Sequence, residues 1–445
     1  MTPNRRAAVF RCASAWIDGT VRRDVDIRCL DGVIASVSNV GGPVLPGDTV
    51  EALAGIVVPG FADAHSHVFH RALRGRTHQG GGTFWTWREA MYDLAGRLTP
   101  DTLRELAFAT YLELLGAGYT AVGEFHYLHH QAGGRPYAEP NAMGLALADA
   151  AGRAGIGLTL LDVAYLSGGF DVALSPVQQR FSDGSAQAWA DRVDALRAAG
   201  CGVRVGVAVH SVRAVPVRDL PVVAAAAQAG PVHAHLSEQQ AENDNAFAAT
   251  GRTPAELLDE AGVLGPATAV VHGTHLTAAD IDILGRQGCF VVICPTTEAD
   301  LADGLPPAAK LSAAGARLAL GGDQHVVVDP FAQARGLELG ERLAGGHRGV
   351  FSPGMLWHTA TAESHAAIGS PAGELVPGAP ADLVAISTDS VRTAGADPAQ
   401  LVMCASAADV RTVVVGGVVR VRSGNHVTYG DPGPLLAAAI DLLWR

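Results

Sequence analysis

The chain has 445 residues, 48% of them hydrophobic and only 17% charged, a composition that excludes a disordered or low-complexity chain. Thirty-two basic against forty-four acidic side chains give a formal net charge of -12, and no predicted face gathers Lys or Arg, so neither nucleic acid nor an anionic membrane is an expected partner. Lys310 is the single lysine, so Schiff-base, P-loop or carbamylated-lysine chemistry would all have to use that one position.

At the start of the chain, Arg11 interrupts the apolar run before it reaches the length of a signal sequence's hydrophobic region. No apolar stretch reaches 18 residues, and a cytoplasmic location is expected. The six cysteines, Cys12, Cys29, Cys201, Cys289, Cys294 and Cys404, are too scattered to predict a disulfide framework or a Cys-type zinc site. Short alternating runs at 25–29, 381–386, 412–415 and 418–422, joined by Asp-Gly and Gly-Gly turns, predict β-structure at both ends of the chain. Between them, apolar β-branched runs that end in polar residues alternate with Ala- and Leu-rich segments of helical period.

The predicted strands are 55–67, 118–127, 155–165, 202–212, 231–238, 267–276, 288–298 and 316–325. Helices are predicted at 100–116, 142–154, 185–199, 217–229, 277–287 and 306–314. Eight near-continuous apolar strands alternating with helices predict an α/β fold, a (β/α)8 TIM-like barrel over residues 55–376. Residues 1–54 and 377–445 are expected to pair into a small composite β-sandwich domain beside it. In such a barrel the residues at the C-terminal ends of the strands line one mouth and build the site.

The first strand ends Asp63-Ala64-His65-Ser66-His67, and a His-x-His pair on a strand puts both imidazoles on one face, close enough to share a metal. Comparable residues recur at other strand ends: His235 on the fifth, His272 on the sixth and Asp323 on the eighth. Imidazoles with a carboxylate make an N/O set that suits zinc, or less often iron. Glu238 leaves the fifth strand just past His235, where it can take a proton from an attacking water and return it to a leaving nitrogen. His233 shares a face with His235 but should sit one layer deeper. With seventeen histidines in the chain, most are expected to be ordinary core or surface residues.

These residues resemble the amidohydrolase superfamily, whose barrel members carry Pro-Gly-x-x-x-x-His-x-His on strand one, here Pro59 to His67, with His on strands five and six and Asp on strand eight. The spacing His235-Leu236-Ser237-Glu238 is similar to the single-metal deaminase branch. That resemblance implies one Zn2+ per chain held by His65, His67, His235 and Asp323, with Glu238 shuttling protons and His272 steadying the attacked group. Strand four ends Val209-His210-Ser211 and lacks the lysine that bridges two metals.

Further stretches are similar to the formimidoylglutamate deiminase family of histidine breakdown: Phe84-Trp85-Thr86-Trp87-Arg88-Glu89, Gly118 through His130, His210 through Pro216, and Cys294-Pro295-Thr296-Thr297-Glu298-Ala299. This implies hydrolysis of N-formimino-L-glutamate to N-formyl-L-glutamate and ammonia. A dicarboxylate needs local cations in an acidic protein, and Arg213 and Arg88 are the candidates because a guanidinium grips a carboxylate through two parallel hydrogen bonds. Tyr127 and His210 could add donors. Two positions depart from the family pattern, His70 in place of Gln and Gln324 in place of Ser, and both bear on substrate range. His70 keeps a donor and adds a group able to carry charge near neutral pH. A homodimer is the expected assembly. The competing readings are a mononuclear-zinc deaminase of a purine or other heterocycle, and a catalytically silent zinc-binding barrel.

Overall fold

The computed structural model describes residues 7–42, 44, 47–79 and 82–445. Eight parallel strands follow one another around a barrel: β1 (Phe61–Ser66), β2 (Tyr119–His126), β3 (Gly157–Ala164), β4 (Arg204–Val209), β5 (Val232–Leu236), β6 (Thr268–His272), β7 (Phe290–Ile293) and β8 (Arg317–Leu320). Each neighbours the next in sequence order, as right-handed βα units require. The barrel closes between its first and last strands at the C-terminal end. There Asp323 N–H donates to the His65 carbonyl at 2.8 Å, and His67 N–H donates to the Asp323 carbonyl at 3.0 Å. Asp63 strengthens the seam by accepting from Gly322 N–H at 2.7 Å.

The helices owe their limits to local chemistry. α1 (Phe84–Arg97) starts at a Thr83 capping box, and α2 (Pro100–Ala117) starts at a Thr99 capping box with Pro100 in its first turn. α2 stops at Gly118, whose φ of 104° suits glycine alone. α3 (Ala142–Ala154) and α4 (Ala186–Ala199) cover the outer face next, and together with the strands they enclose the main apolar core. Inside the barrel the side chains are mostly small, Ala62, Ala64, Ala121, Ala269 and Ala319 among them, and Ile368 fills the N-terminal end. A Cβ on Gly123 would meet Ile368 Cγ2 at 2.5 Å, so the plug fits only against a glycine. The interior is therefore packed, and the open end is the C-terminal mouth.

The two chain ends do pair. Strands 8–17, 20–30, 33–39 and 49–59 join 383–386, 410–415, 418–422 and 425–426 in one eight-stranded mixed sheet. It curls around its own core, where Ile34, from one end of the strand order, joins Val414, near the other. The strand Thr49–Pro59 runs straight on into β1 through Gly60, where a Cβ would fall 2.1 Å from Thr120 Oγ1. The expected first barrel strand, 55–67, thus spans two sheets: its first residues belong to the outer sheet and only Phe61–Ser66 to the barrel. The expected seventh strand also ends early, because Pro295 opens the helix Pro295–Asp300. No helix among the described residues is long and apolar enough to cross a membrane.

Candidate metal centre and active site

The strand ends bring four donors together. His65 Nε2 lies 3.1 Å from His235 Nε2, and His67 Nε2 lies 3.3 Å from it. Asp323 Oδ1 is 3.6 Å from His65 Nε2 and 3.5 Å from His67 Nε2. Four atoms each bonded to one tetrahedral zinc at about 2.05 Å would be about 3.3 Å apart, so the donor set has the dimensions and chemistry of such a site. Two of the imidazoles are also fixed from behind: His67 Nδ1 is 3.1 Å from the Phe125 carbonyl and His235 Nδ1 is 2.9 Å from the His210 carbonyl. A carbonyl can only accept, so Nδ1 carries the proton and Nε2 presents its lone pair to the centre. Burial, and then repulsion among the neighbouring imidazoles, holds all three histidines well below their ordinary pKa, in the neutral form that binds metal.

Two groups border the donors without joining them. His272 Nε2 stands 3.8 Å from Glu238 Oε1 and 3.9 Å from Asp323 Oδ2. Its Nδ1 is 3.3 Å from the buried Glu298 Oε1, which also accepts from Cys294 N–H at 2.8 Å. Burial works against a charged His272, but Glu238 and the bond to Glu298 outweigh it and raise its pKa to about 10. Its Nε2 thus points between Glu238 and Asp323, with Nδ1 held from behind by Glu298. Burial raises Asp323 to about 7, with His272 opposing. A cation among the four donors would supply the charge that keeps this carboxylate ionised.

Above these groups opens a cavity. His67, His235, Glu238, His272 and Asp323 form its floor, and His70, Tyr127, His210, Arg88 and Arg213 line its walls, so the residues expected from sequence meet in one space. His65 lies beneath, fully buried. His233 does sit deeper, its Nε2 2.9 Å from the Ala367 carbonyl at the barrel plug. His70 corrects one expectation. Burial pushes its pKa down to about 3, so it lines the cavity as a neutral imidazole, 3.2 Å from the Tyr127 hydroxyl, and adds no charge near neutral pH.

Sequence reading missed the aromatic wall. Tyr92, Tyr165, Phe181 and Met91 also line the cavity. Phe84, Arg88 and Met91 recur at the four- and three-residue spacing of one helical face of α1, a signal that could have found that part of the wall. Arg213 is backed by the buried Glu242, whose Oε1 is 3.7 Å from its Nε, and Arg88 Nε donates to the Tyr92 hydroxyl at 2.8 Å.

A closed parallel barrel with an imidazole and carboxylate cluster at its mouth defines a metal-dependent hydrolase, and the comparisons agree: residues 56–420 match the Amidohydrolase family, to which the chain belongs. It is accordingly a hydrolase of carbon–nitrogen bonds. The chain is 38% identical to formimidoylglutamate deiminase of Pseudomonas aeruginosa over 414 residues, covering 89% of this chain and 90% of that one. It is 29% identical to 8-oxoguanine deaminase of the same organism over 409 residues, 88% of this chain and 89% of that one. Among solved structures, an amidohydrolase from Brucella melitensis superposes with a TM-score of 0.90 at 31% identity, over 98% of this chain and 100% of that one. An adenosine deaminase from Xanthomonas campestris with bound zinc shares the fold, with a TM-score of 0.85 at 21% identity over 98% and 97% of the two chains.

Proposed function

We propose that the protein hydrolyses N-formimino-L-glutamate to N-formyl-L-glutamate and ammonia, using one zinc ion per chain held by His65, His67, His235 and Asp323. The observation that carries this reading is a single cavity with three of the four donors, His67, His235 and Asp323, at its floor, His65 just beneath, and two guanidinium groups, Arg88 and Arg213, in its walls. A heterocycle gives two arginines nothing to neutralise; a dicarboxylate does. The 38% identical relative named for this activity supports the choice.

When bound, zinc supplies Lewis acidity and lowers the pKa of water toward neutrality. Glu238, at the edge of the floor, accepts a proton from the water that attacks the formimino carbon. His272, oriented by Glu298, donates through Nε2 to the developing tetrahedral centre. Glu238 passes the water's proton to the terminal nitrogen, then takes the remaining hydroxyl proton of the tetrahedral centre and delivers it to the same nitrogen as it departs. The new C–O bond becomes the formyl carbonyl, the bond to the terminal nitrogen breaks, and ammonia leaves while the glutamate nitrogen stays attached. Arg88, Arg213, Tyr127, His210 and His70 hold the carboxylates and the chain between them.

The test is turnover of N-formimino-L-glutamate by purified protein, with ammonia and N-formylglutamate assayed together. Release of formamide with free glutamate would overturn the assignment. So would inertness toward this compound alongside deamination of a purine such as 8-oxoguanine, and inertness toward every substrate with zinc bound would favour a silent barrel.

A further inference from the structure

Arg88 stands on the part of the cavity wall made by α1, and a guanidinium on a long side chain grips a carboxylate only if its plane is set in advance. Its Nε is committed to the Tyr92 hydroxyl, one helical turn along, at 2.8 Å. Tyr92 is itself held. Gln178 Nε2 donates to the Tyr92 hydroxyl at 3.2 Å and to the Tyr165 hydroxyl at 2.7 Å, and Gln178 Oε1 accepts from Ser175 N–H at 2.8 Å. Gln178 is 4% exposed and Tyr165 3%. The turn Gln178–Phe181 that carries this glutamine also carries Arg180, which donates to the carbonyls of Ala95 and Leu98 at the C-terminal end of α1, the latter at 2.7 Å. Arg180 Nε also donates to the His130 carbonyl at 3.0 Å, past the end of β2. The same short turn therefore fixes the helix and, through Tyr92, the arginine on it.

We propose that Tyr92, braced by Gln178 and Tyr165, is a positioning residue that fixes the Arg88 guanidinium in the cavity to receive a substrate carboxylate. This rests on the dicarboxylate reading above. The packing alternative, in which Tyr92 merely fills space beside Phe181, would be satisfied equally by phenylalanine. The hydroxyl is what distinguishes the two, since it is the atom that meets both Arg88 and Gln178.

The test uses the zinc-loaded full chain and compares wild type, Tyr92→Phe, Arg88→Met and the double variant. Two readouts apply: glutarate affinity by calorimetry, and kcat and KM for N-formimino-L-glutamate and for a neutral alkyl formamidine. Tyr92→Phe is expected to weaken glutarate binding and raise KM for the dicarboxylate about tenfold. Its kcat should stay within about twofold of wild type and its KM for the neutral compound should not move. In the Arg88→Met background the same change should cost nothing further, because its effect runs through Arg88. Unchanged glutarate affinity in Tyr92→Phe, an equal loss for both substrates, or full additivity with Arg88→Met would overturn the assignment. Wild-type protein that neither binds glutarate nor turns over the dicarboxylate would instead remove the reading on which it rests, and the assignment with it.

Discussion

At the scale of single residues, the mouth of the barrel is held in backbone conformations that side chains rarely adopt. His272 has φ 71°, Asp323 48°, His325 56° and Ser237 50°, all in the left-handed region and all at or just past strand ends. Each costs on the order of 1 kcal/mol, and such strain persists only where surrounding contacts over-determine it. Here the contacts are the backbone bonds between His65, His67 and Asp323 and the Glu298 bond to His272. The chemical roles separate by substitution. Glu238→Gln is expected to keep a full complement of metal and lose about 10²- to 10⁴-fold in kcat, since an amide cannot accept the water's proton. Near-normal turnover in metal-loaded Glu238→Gln would remove Glu238 from that role. His67→Ala, by contrast, deletes one of four donors and should lose the metal, read by elemental analysis of dialysed protein. Full metal content with full activity would contradict the ligand set.

At the scale of elements, a buried ion network joins β3, α4 and the loop after β2. Arg192 on α4 makes two 2.8 Å bonds to the two oxygens of Asp162 on β3, and its Nε reaches Asp183 at 2.9 Å. His130 Nε2 is 2.9 Å from Asp183, which ties in the loop that begins at Tyr127. Burial opposes ionisation of both aspartates, yet Arg192 and its partners hold both below the usual carboxylate range. Because the folded pKa values lie below the unfolded ones, the stability they contribute is complete above about pH 4 and is lost as pH falls toward the folded values. Arg192→Met should cost about 3–5 kcal/mol by leaving two carboxylates buried without their cation. It should also flatten the acid limb of the stability curve, measured by denaturant unfolding between pH 3 and 7. An unaltered acid limb would show that the pair is not linked to folding. These elements were largely legible in sequence, because apolar runs, capping threonines and glycine stops mark strand and helix alike. The limits failed at two places for physical reasons. The apolar run through 55–67 carries no mark of where the chain leaves one sheet for another. Thr296 and Thr297 look like strand residues, although Pro295 is suited to a first helical turn. The metal donors were legible because strand ends converge in this fold, and Tyr165 closes the expected strand 155–165 at the same end; Gln178, by contrast, carries no local signal and reaches Tyr92 and Tyr165 only through tertiary packing.

At the scale of the whole molecule, the proposed metal ties the barrel's weakest seam. β1 and β8 are not paired along their lengths, and Ser66 and Asp323 form an isolated parallel bridge between these two segments at the mouth. Three of the four donors, His65, His67 and Asp323, lie on the two sides of that seam, and His235 comes from β5 across the barrel. A ligand that binds only the folded chain stabilises it by about 2.7 kcal/mol when its free concentration is a hundredfold above Kd. Chelation should therefore lower the midpoint of thermal unfolding, and the location of the loss is the sharper test. Amide hydrogen exchange after metal removal should accelerate at His67 and Asp323, whose N–H groups bridge the seam, and in the peptides around them. The curled outer sheet has its own core and no donor in the cluster, so its strands at 8–17 and 20–30 should keep their protection. Chelation that left the seam peptides unchanged, or that loosened both sheets equally, would mean the metal does not act at barrel closure. In the first case the four donors would form a site already rigid without its ion, and in the second the barrel and the outer sheet would unfold as one cooperative unit.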